Sequence, residues 1–133
     1  MPEVTYLHHR IVTAPRQWAR LARALAQRGD ELAKAGGALY GIWRSQIGRP
    51  RDELTSITVW HRPVTPALAE ALLLGEANDI HSIHSDLLTP TLRPLNADPP
   101  TRQGNYAFRW FVTPEPNWQE FLALCAQAWP GFE

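Results

Sequence analysis

The sequence predicts an α+β fold, and three observations carry that prediction. Residues 38–62 read ALYGIWRSQIG, RPRDE, LTSITVWHR: two apolar, β-branched and aromatic runs flank a polar break holding Gly48, Pro50 and Asp52. That is a strand–loop–strand pattern. The chain before it reads strand then helix, and the chain after it reads helix then weak strand. The resulting order, strand–helix–strand–strand–helix–strand, is the split β-α-β arrangement, with helices on one face of an antiparallel sheet.

Taken in order, Val4 to Val12 alternates with strand period. Val4, Tyr6, His8, Arg10 and Val12 face one way, and Thr5, Leu7, His9 and Ile11 the other. Thr13 or Ala14 then caps a helix with Pro15 in its first turn. Trp18, Leu21, Ala22, Leu25, Gly29 and Leu32 form its inner stripe. Arg16, Arg20 and Arg23 lie outside, where a solvated face is a simpler reading than a phosphate-binding stripe. Gly36-Gly37 ends the helix, because glycine tolerates the left-handed turn. After the hairpin, Thr65-Pro66 caps a helix through Leu68, Ala71 and Leu72 to about Gly75. Ile80, Ile83, Leu87 and Leu88 read as one face of a second helical piece. Thr91 to Leu95 reads as a weak strand held to a sheet edge by Pro90 and Pro94. NADPPTRQG, residues 96–104, has linker composition.

The chain then begins again. Residues 105–127 match 5–27 at a constant offset of 100, with Tyr6/Tyr106, Val12/Val112, Thr13/Thr113, Trp18/Trp118, Ala26/Ala126 and Gln27/Gln127 identical. The strand and helix patterns stay in step, which marks an internal repeat. The expected organisation is a first repeat over 1–95, a linker over 96–104, and a partial second repeat, one strand plus one helix, over 105–133.

Composition narrows the function. The 13 basic and 13 acidic residues cancel, which argues against nucleic acid as a partner, since phosphate binding rests on clustered positive charge. All the basic residues except Lys34 are arginine, which reads as the bias of a GC-rich bacterial genome. Cys125 is the only cysteine, so no disulfide forms within the chain, and a reducing cytoplasm is expected. MPEVTYLHH lacks a signal-peptide pattern, and no apolar run approaches the roughly 20 residues of a membrane span. Six tryptophans point to large contacts in a core, a pocket or a subunit interface.

The repeat, with the runs Gly41-Ile42-Trp43-Arg44 and Ile47-Gly48, resembles the NIPSNAP-like group of dimeric α/β-barrel, ferredoxin-like proteins. Arg109-Trp110-Phe111 and Ala128 to Glu133 are similar to the second half of tandem members. The resemblance implies a ferredoxin-like repeat that pairs as a dimer, with the open face of its sheet lining a lumen. The wider superfamily includes cofactor-free monooxygenases, haem enzymes, small isomerases and proteins of no known reaction, so fold alone fixes no activity.

If Leu7, Ile11, Ile57 and Val59 face the helices, then Tyr6, His8, Arg10, Tyr40, Arg44, Ser56, Thr58 and Trp60 line that lumen. A polar and aromatic lining suits a small apolar or aromatic ligand; a contact filled by a partner's side chains is the other reading. The leading expectation is a homodimer that works by association and ligand binding, with no cofactor. The alternative is a cofactor-independent, monooxygenase-like enzyme in which His8 is a base and Arg10 or Arg44 holds an enolate-like anion, with Tyr40 beside them. His81 and His84 would share a helix face and could hold a metal, but no third ligand accompanies them, so no metal site is expected. No phosphate loop or nucleophile elbow is present in the sequence. The helix after Thr113 carries Trp118, Phe121, Leu122, Cys125 and Trp129 as one apolar stripe. In that reading Cys125 is a buried structural cysteine, and the stripe and the strand from Tyr106 to Val112 both need cover, which a two-fold partner would supply.

Overall fold

The computed structural model describes residues 4–131. Its centre is β1 (Thr5–Thr13), which pairs antiparallel with β3 (Glu53–Trp60) on one side and β4 (Ile80–Leu88) on the other. The hairpin partner β2 (Gly37–Arg44) completes a four-stranded sheet in the order β2-β3-β1-β4. Helices α1 (Trp18–Ala26), α2 (Gly29–Lys34) and α3 (Pro66–Leu74) cover one face. This is the α+β, ferredoxin-like architecture expected from the element order.

The core lies between that face and the helices. Leu7, Ile11, Leu54 and Trp60 from the strands meet Leu21, Leu25, Leu32, Ala69 and Leu73. Gly37 is dictated by this packing: a Cβ there would fall about 2.5 Å from the Trp60 ring. Thr65 caps α3 as expected, its Oγ1 accepting the Leu68 amide at 3.1 Å with Pro66 following. At the other end of α3, Arg28 Nε donates to the Leu72 carbonyl at 2.9 Å. Gly36 takes the left-handed conformation (φ 83°) that turns the chain from α2 into β2.

Several elements differ from expectation. The expected first helix is two helices, α1 and α2, and it begins at Trp18, because residues 13–16 are tied elsewhere. The Thr13 and Arg16 amides bond Asp52, and the Ala14 amide bonds the Asp79 carbonyl. Residues 80–88 form a strand and no helix. Their i, i+3 and i+7 apolar spacing imitates helical period, but the neighbouring edge of β1 offers a full antiparallel ladder, and tertiary pairing wins over a short local pattern. With that edge taken, residues 91–95 are not a strand. Residues 105–112 form no ladder among the described residues; they cross the face of the sheet, where no strand edge is available. The expected helix is present as α4 (Trp118–Ala128). It meets the turns at its own ends and, through Phe121, the ring of Phe111, without substantial packing on the sheet layer. Cys125 is half-buried, not buried as expected. Phe132 and Glu133, the end of the expected second repeat, lie outside the described residues. Among the described residues no helix is long and apolar enough to cross a membrane.

One polar cluster sits inside the core. His9 is fully buried, with Nδ1 2.7 Å from Ser85 Oγ and Nε2 2.8 Å from Thr58 Oγ1. Thr58 Oγ1 also accepts the Trp60 indole N–H at 2.8 Å. A hydroxyl that accepts from an indole is well placed to donate its own proton to Nε2, which favours the proton on Nδ1. Burial, with a smaller contribution from neighbouring His8, lowers the His9 pKa to about 4. The folded protein therefore holds a neutral ring where the unfolded chain takes up a proton near pH 6.5. The sign follows: His9 costs no stability above about pH 6.5, and stability falls between about pH 6.5 and 4. Denaturant unfolding should show a loss on the order of 2–3 kcal/mol between pH 7 and 4.5, sharply reduced in His9→Gln.

Candidate functional site

The second face of the sheet carries no helix. In β1 it presents Tyr6, His8 and Arg10, which pair with Val59, Ile57 and Thr55 of β3 and with Leu88, Asp86 and His84 of β4. A strap over residues 100–112 crosses this face. It keeps strand alternation without strand pairing, so Tyr106, Phe108 and Trp110 share its inner side. Trp43 lies 5.5 Å from the Tyr106 ring and 5.1 Å from that of Phe108. His8 meets Phe108 at 5.4 Å and Trp110 at 5.1 Å, both edge to face.

Between strap, sheet and the β2–β3 hairpin lies a cavity of about 800 Å³. It is bordered by His8, Arg10, Trp43, Thr55, Phe108 and Trp110, by residues 44–49, and by Arg102. That volume suits a small organic molecule. His8 is only 3% exposed, yet neither ring nitrogen has a hydrogen-bond partner, and Arg10 Nε is likewise buried without one. Buried donors without partners are uncommon and costly, which sets these atoms apart from the satisfied polar groups of the core. Burial first, and then the Arg10 guanidinium, push the His8 pKa down; the Asp86 carboxylate, the nearby His8 backbone, at no hydrogen-bonding geometry, and Glu53 oppose them. The imidazole is therefore neutral at neutral pH, with one donor and one acceptor nitrogen.

No protein-family model matches the sequence, and no curated protein does. Solved structures do match the fold. A NIPSNAP family protein of unknown function from Agrobacterium tumefaciens superposes with a TM-score of 0.53 at 17% identity, over 71% of this chain and 96% of that one. A second NIPSNAP family protein from the same bacterium gives 0.50 at 15% identity, over 68% and 89%. The chain has the NIPSNAP fold. SnoaB, a cofactor-independent oxygenase from Streptomyces nogalater, gives 0.46 at 18% identity, over 71% and 98%.

Within this NIPSNAP fold the expected site residues divide. Tyr6, His8, Arg10 and Tyr40 lie on the open face. Tyr6 and Tyr40 pack edge to face at 5.4 Å and border a separate hollow of about 180 Å³ with Ile57, Leu88 and Pro90, so they stand apart from the His8 cavity. Burial raises the pKa of both phenols, and both stay protonated at neutral pH. Ser56, Thr58 and Trp60 are on the helix side, because the register sets Thr58 beside Leu7 and Trp60 beside Thr5. The expectation sent apolar Ile57 and Val59 inward; in the structure polar Thr58 faces inward, where His9 and Trp60 satisfy it. Arg44 is also turned away. A bulge between Leu39 and Gly41 shifts the alternation of β2, so Ile42 and Arg44 point toward the helices. The Arg44 guanidinium sits 4.1 Å over the Trp18 ring, although the residue borders the cavity mouth.

His84 stands opposite Arg10, with Nε2 3.1 Å from Asp86 Oδ1, while His81 falls at a bulge in β4 pairing. A strand does not bring residues three apart to one face, so the helical pairing of these two histidines is corrected. Among the described residues no group of three or more His, Cys, Asp or Glu is arranged to hold a metal. Trp43, Thr55, Phe108 and Trp110 were not anticipated at the site. The signal for Phe108 and Trp110 was present in the repeat, which maps them onto His8 and Arg10.

Removing the strap's cover should readmit water to His8 and restore its charged form. Trp110→Ala is expected to raise the His8 pKa toward the ordinary value of 6.5, read by NMR titration of the imidazole protons. An unchanged titration would show that the strap does not shield the ring.

Proposed function

We propose that this protein is a NIPSNAP-type association module that binds a small apolar or aromatic ligand between the open sheet face and the strap. The observation that carries this reading is the set of orphaned nitrogens on His8 and Arg10 at a cavity of about 800 Å³ bordered in part by the rings of Trp43, Phe108 and Trp110. A neutral naphthalene fluorophore such as prodan should bind saturably, one per chain. Thr55→Trp, which fills the cavity from the sheet side, should abolish the signal. Binding that survives this substitution would move the site elsewhere.

Association is the second part of the proposal. The apolar stripe of α4 is uncovered by its own sheet: Trp118 and Trp129 are exposed, and Phe121, Leu122 and Cys125 half-buried. In the first repeat the matching positions Trp18, Leu21 and Leu25 pack on a sheet. A second copy of the chain supplies a surface of the same kind, and two-fold pairs are the commonest assemblies. Light scattering at micromolar concentration should give twice the 15.0 kDa chain mass, and Phe121→Glu should halve it. A wild-type particle of single-chain mass would refute the pairing.

A cofactor-independent enzyme is the second reading, favoured by one observation. His8 is a neutral imidazole with buried, unpartnered nitrogens next to a guanidinium, a base beside a group able to hold the anion that deprotonation creates. The same burial makes His8 a weak base, and Tyr40 and Arg44 are turned elsewhere, so binding is the better supported.

A further inference from the structure

We propose that the ligand of this cavity is an aromatic carboxylate, with its ring among Trp43, Phe108 and Trp110 and its carboxylate at Arg10 and His8. This rests on the small-ligand reading above and names the chemical class it would take.

The charge of the lining points to an anion. The chain balances 13 basic against 13 acidic residues, yet the cavity is bordered by four arginines and His8 and by no Asp or Glu. Two of those arginines are occupied. Arg49 grips Glu53 with both Nε and NH2 at 2.8 Å, and Arg44 lies over Trp18. The carboxylates nearest on this face are engaged too: Glu53 by Arg49 and Asp86 by His84. Arg10 and Arg102 remain at the cavity with no carboxylate paired to them among the described residues.

The geometry narrows the anion further. Arg10 Nε is a donor already withdrawn from water, so a partner recovers a bond without a new desolvation cost on that side. Guanidinium presents a planar fork that matches a carboxylate edge, and the neutral His8 ring adds one N–H donor. Beside them stand the rings of Trp43, Phe108 and Trp110, while the hairpin and strap supply a polar remainder of the lining. An inorganic anion would satisfy the donors and leave those rings and most of the volume unfilled. A neutral aromatic would fill the volume and leave a buried guanidinium N–H unmet. Only a molecule with both parts answers both features.

Calorimetry on the full chain can separate the outcomes, using 2-naphthoate, its neutral isostere 2-naphthamide, decanoate and inorganic phosphate as probes. We expect 2-naphthoate to bind about tenfold or more tighter than the amide, the discrimination one charge-assisted hydrogen bond supplies, and more tightly than decanoate or phosphate. Arg10→Gln should erase the preference of naphthoate over the amide, the two probes then binding within about twofold of each other. If that variant does not fold, the wild-type preference should still weaken as salt rises, more steeply for naphthoate than for the amide. Equal binding of naphthoate and amide overturns the carboxylate proposal and leaves the small-ligand site standing. Equal binding of decanoate overturns the aromatic half, and phosphate binding as tightly as naphthoate overturns the need for a ring. Failure of both naphthalene compounds, together with prodan, overturns the small-ligand reading itself.

Discussion

The register of β1 between β3 and β4 decides nearly everything else in this molecule. It makes adjacent residues, His8 and His9, into opposites. His9 points among the helices, where water is excluded, and its two nitrogens are met by Ser85 and Thr58. His8 points to the other face, where neither nitrogen is met. A slip of one residue would exchange them, placing Tyr6, His8 and Arg10 in the core and Leu7 and Ile11 on the open face. The apolar burial of Leu7 and Ile11 against Leu21, Leu25 and Leu73 forbids that slip, at about 1.5–3 kcal/mol for each such side chain. The position of the candidate site is therefore a by-product of core packing on the opposite face of the sheet, and needs no local device of its own.

The second constraint is what covers the open face. A four-stranded sheet with helices on one side leaves an apolar surface on the other, carrying Ile57, Val59, Tyr6 and Trp43. Here the cover comes from residues 105–112 of the same chain. Tyr106, Phe108 and Trp110 correspond to Tyr6, His8 and Arg10, and they lie against that same face. At the offset of 100 that aligns the two segments, the alternation is kept and His8 and Arg10 fall at the positions of Phe108 and Trp110. Aromatic rings are wide enough to cover a face through side chains alone, which is why the segment works as a strap without a backbone ladder.

Much of the fold was legible in the sequence. The alternation of β1, the hairpin, the Thr65-Pro66 cap and the Gly36 turn are local signals, and local signals survive into the structure. The site was legible in β1 and obscured in β2 and β3. Its position depends on two non-local facts: the pairing partner of each strand, and one extra residue at the Tyr40 bulge, which reversed the facing of Ile42 and Arg44. Hydrophobicity misled at Thr58, because a polar residue can face a core when a buried histidine and an indole wait for it. In β4, Ile80 and Ile83 read as helical spacing, and only the bulge between them in the pairing with β1 brings both to the core side of a strand.

The strap's own energetics bear on how the cavity is entered. Phe108 and Trp110 are 40% and 59% exposed, so each gives the sheet only about half of its surface. A fully buried large apolar side chain contributes about 1.5–3 kcal/mol, and half-buried rings contribute correspondingly less. No backbone ladder adds to them across residues 105–112. The strap is thus held far more weakly than the strands beneath it, and local opening draws on such weakly held segments rather than on global unfolding. His8 stays buried under the rings of Phe108 and Trp110, and the proposed ligand's ring would take the place of those contacts without disturbing the core. A flat aromatic guest would replace ring-on-ring contact with more of the same, while supplying Arg10 and His8 with the partner that Phe108 and Trp110 cannot offer. The strap thereby gives the open sheet face a partial cover at little cost to the fold, and in the proposed binding reading the same weak hold is the guest's way in.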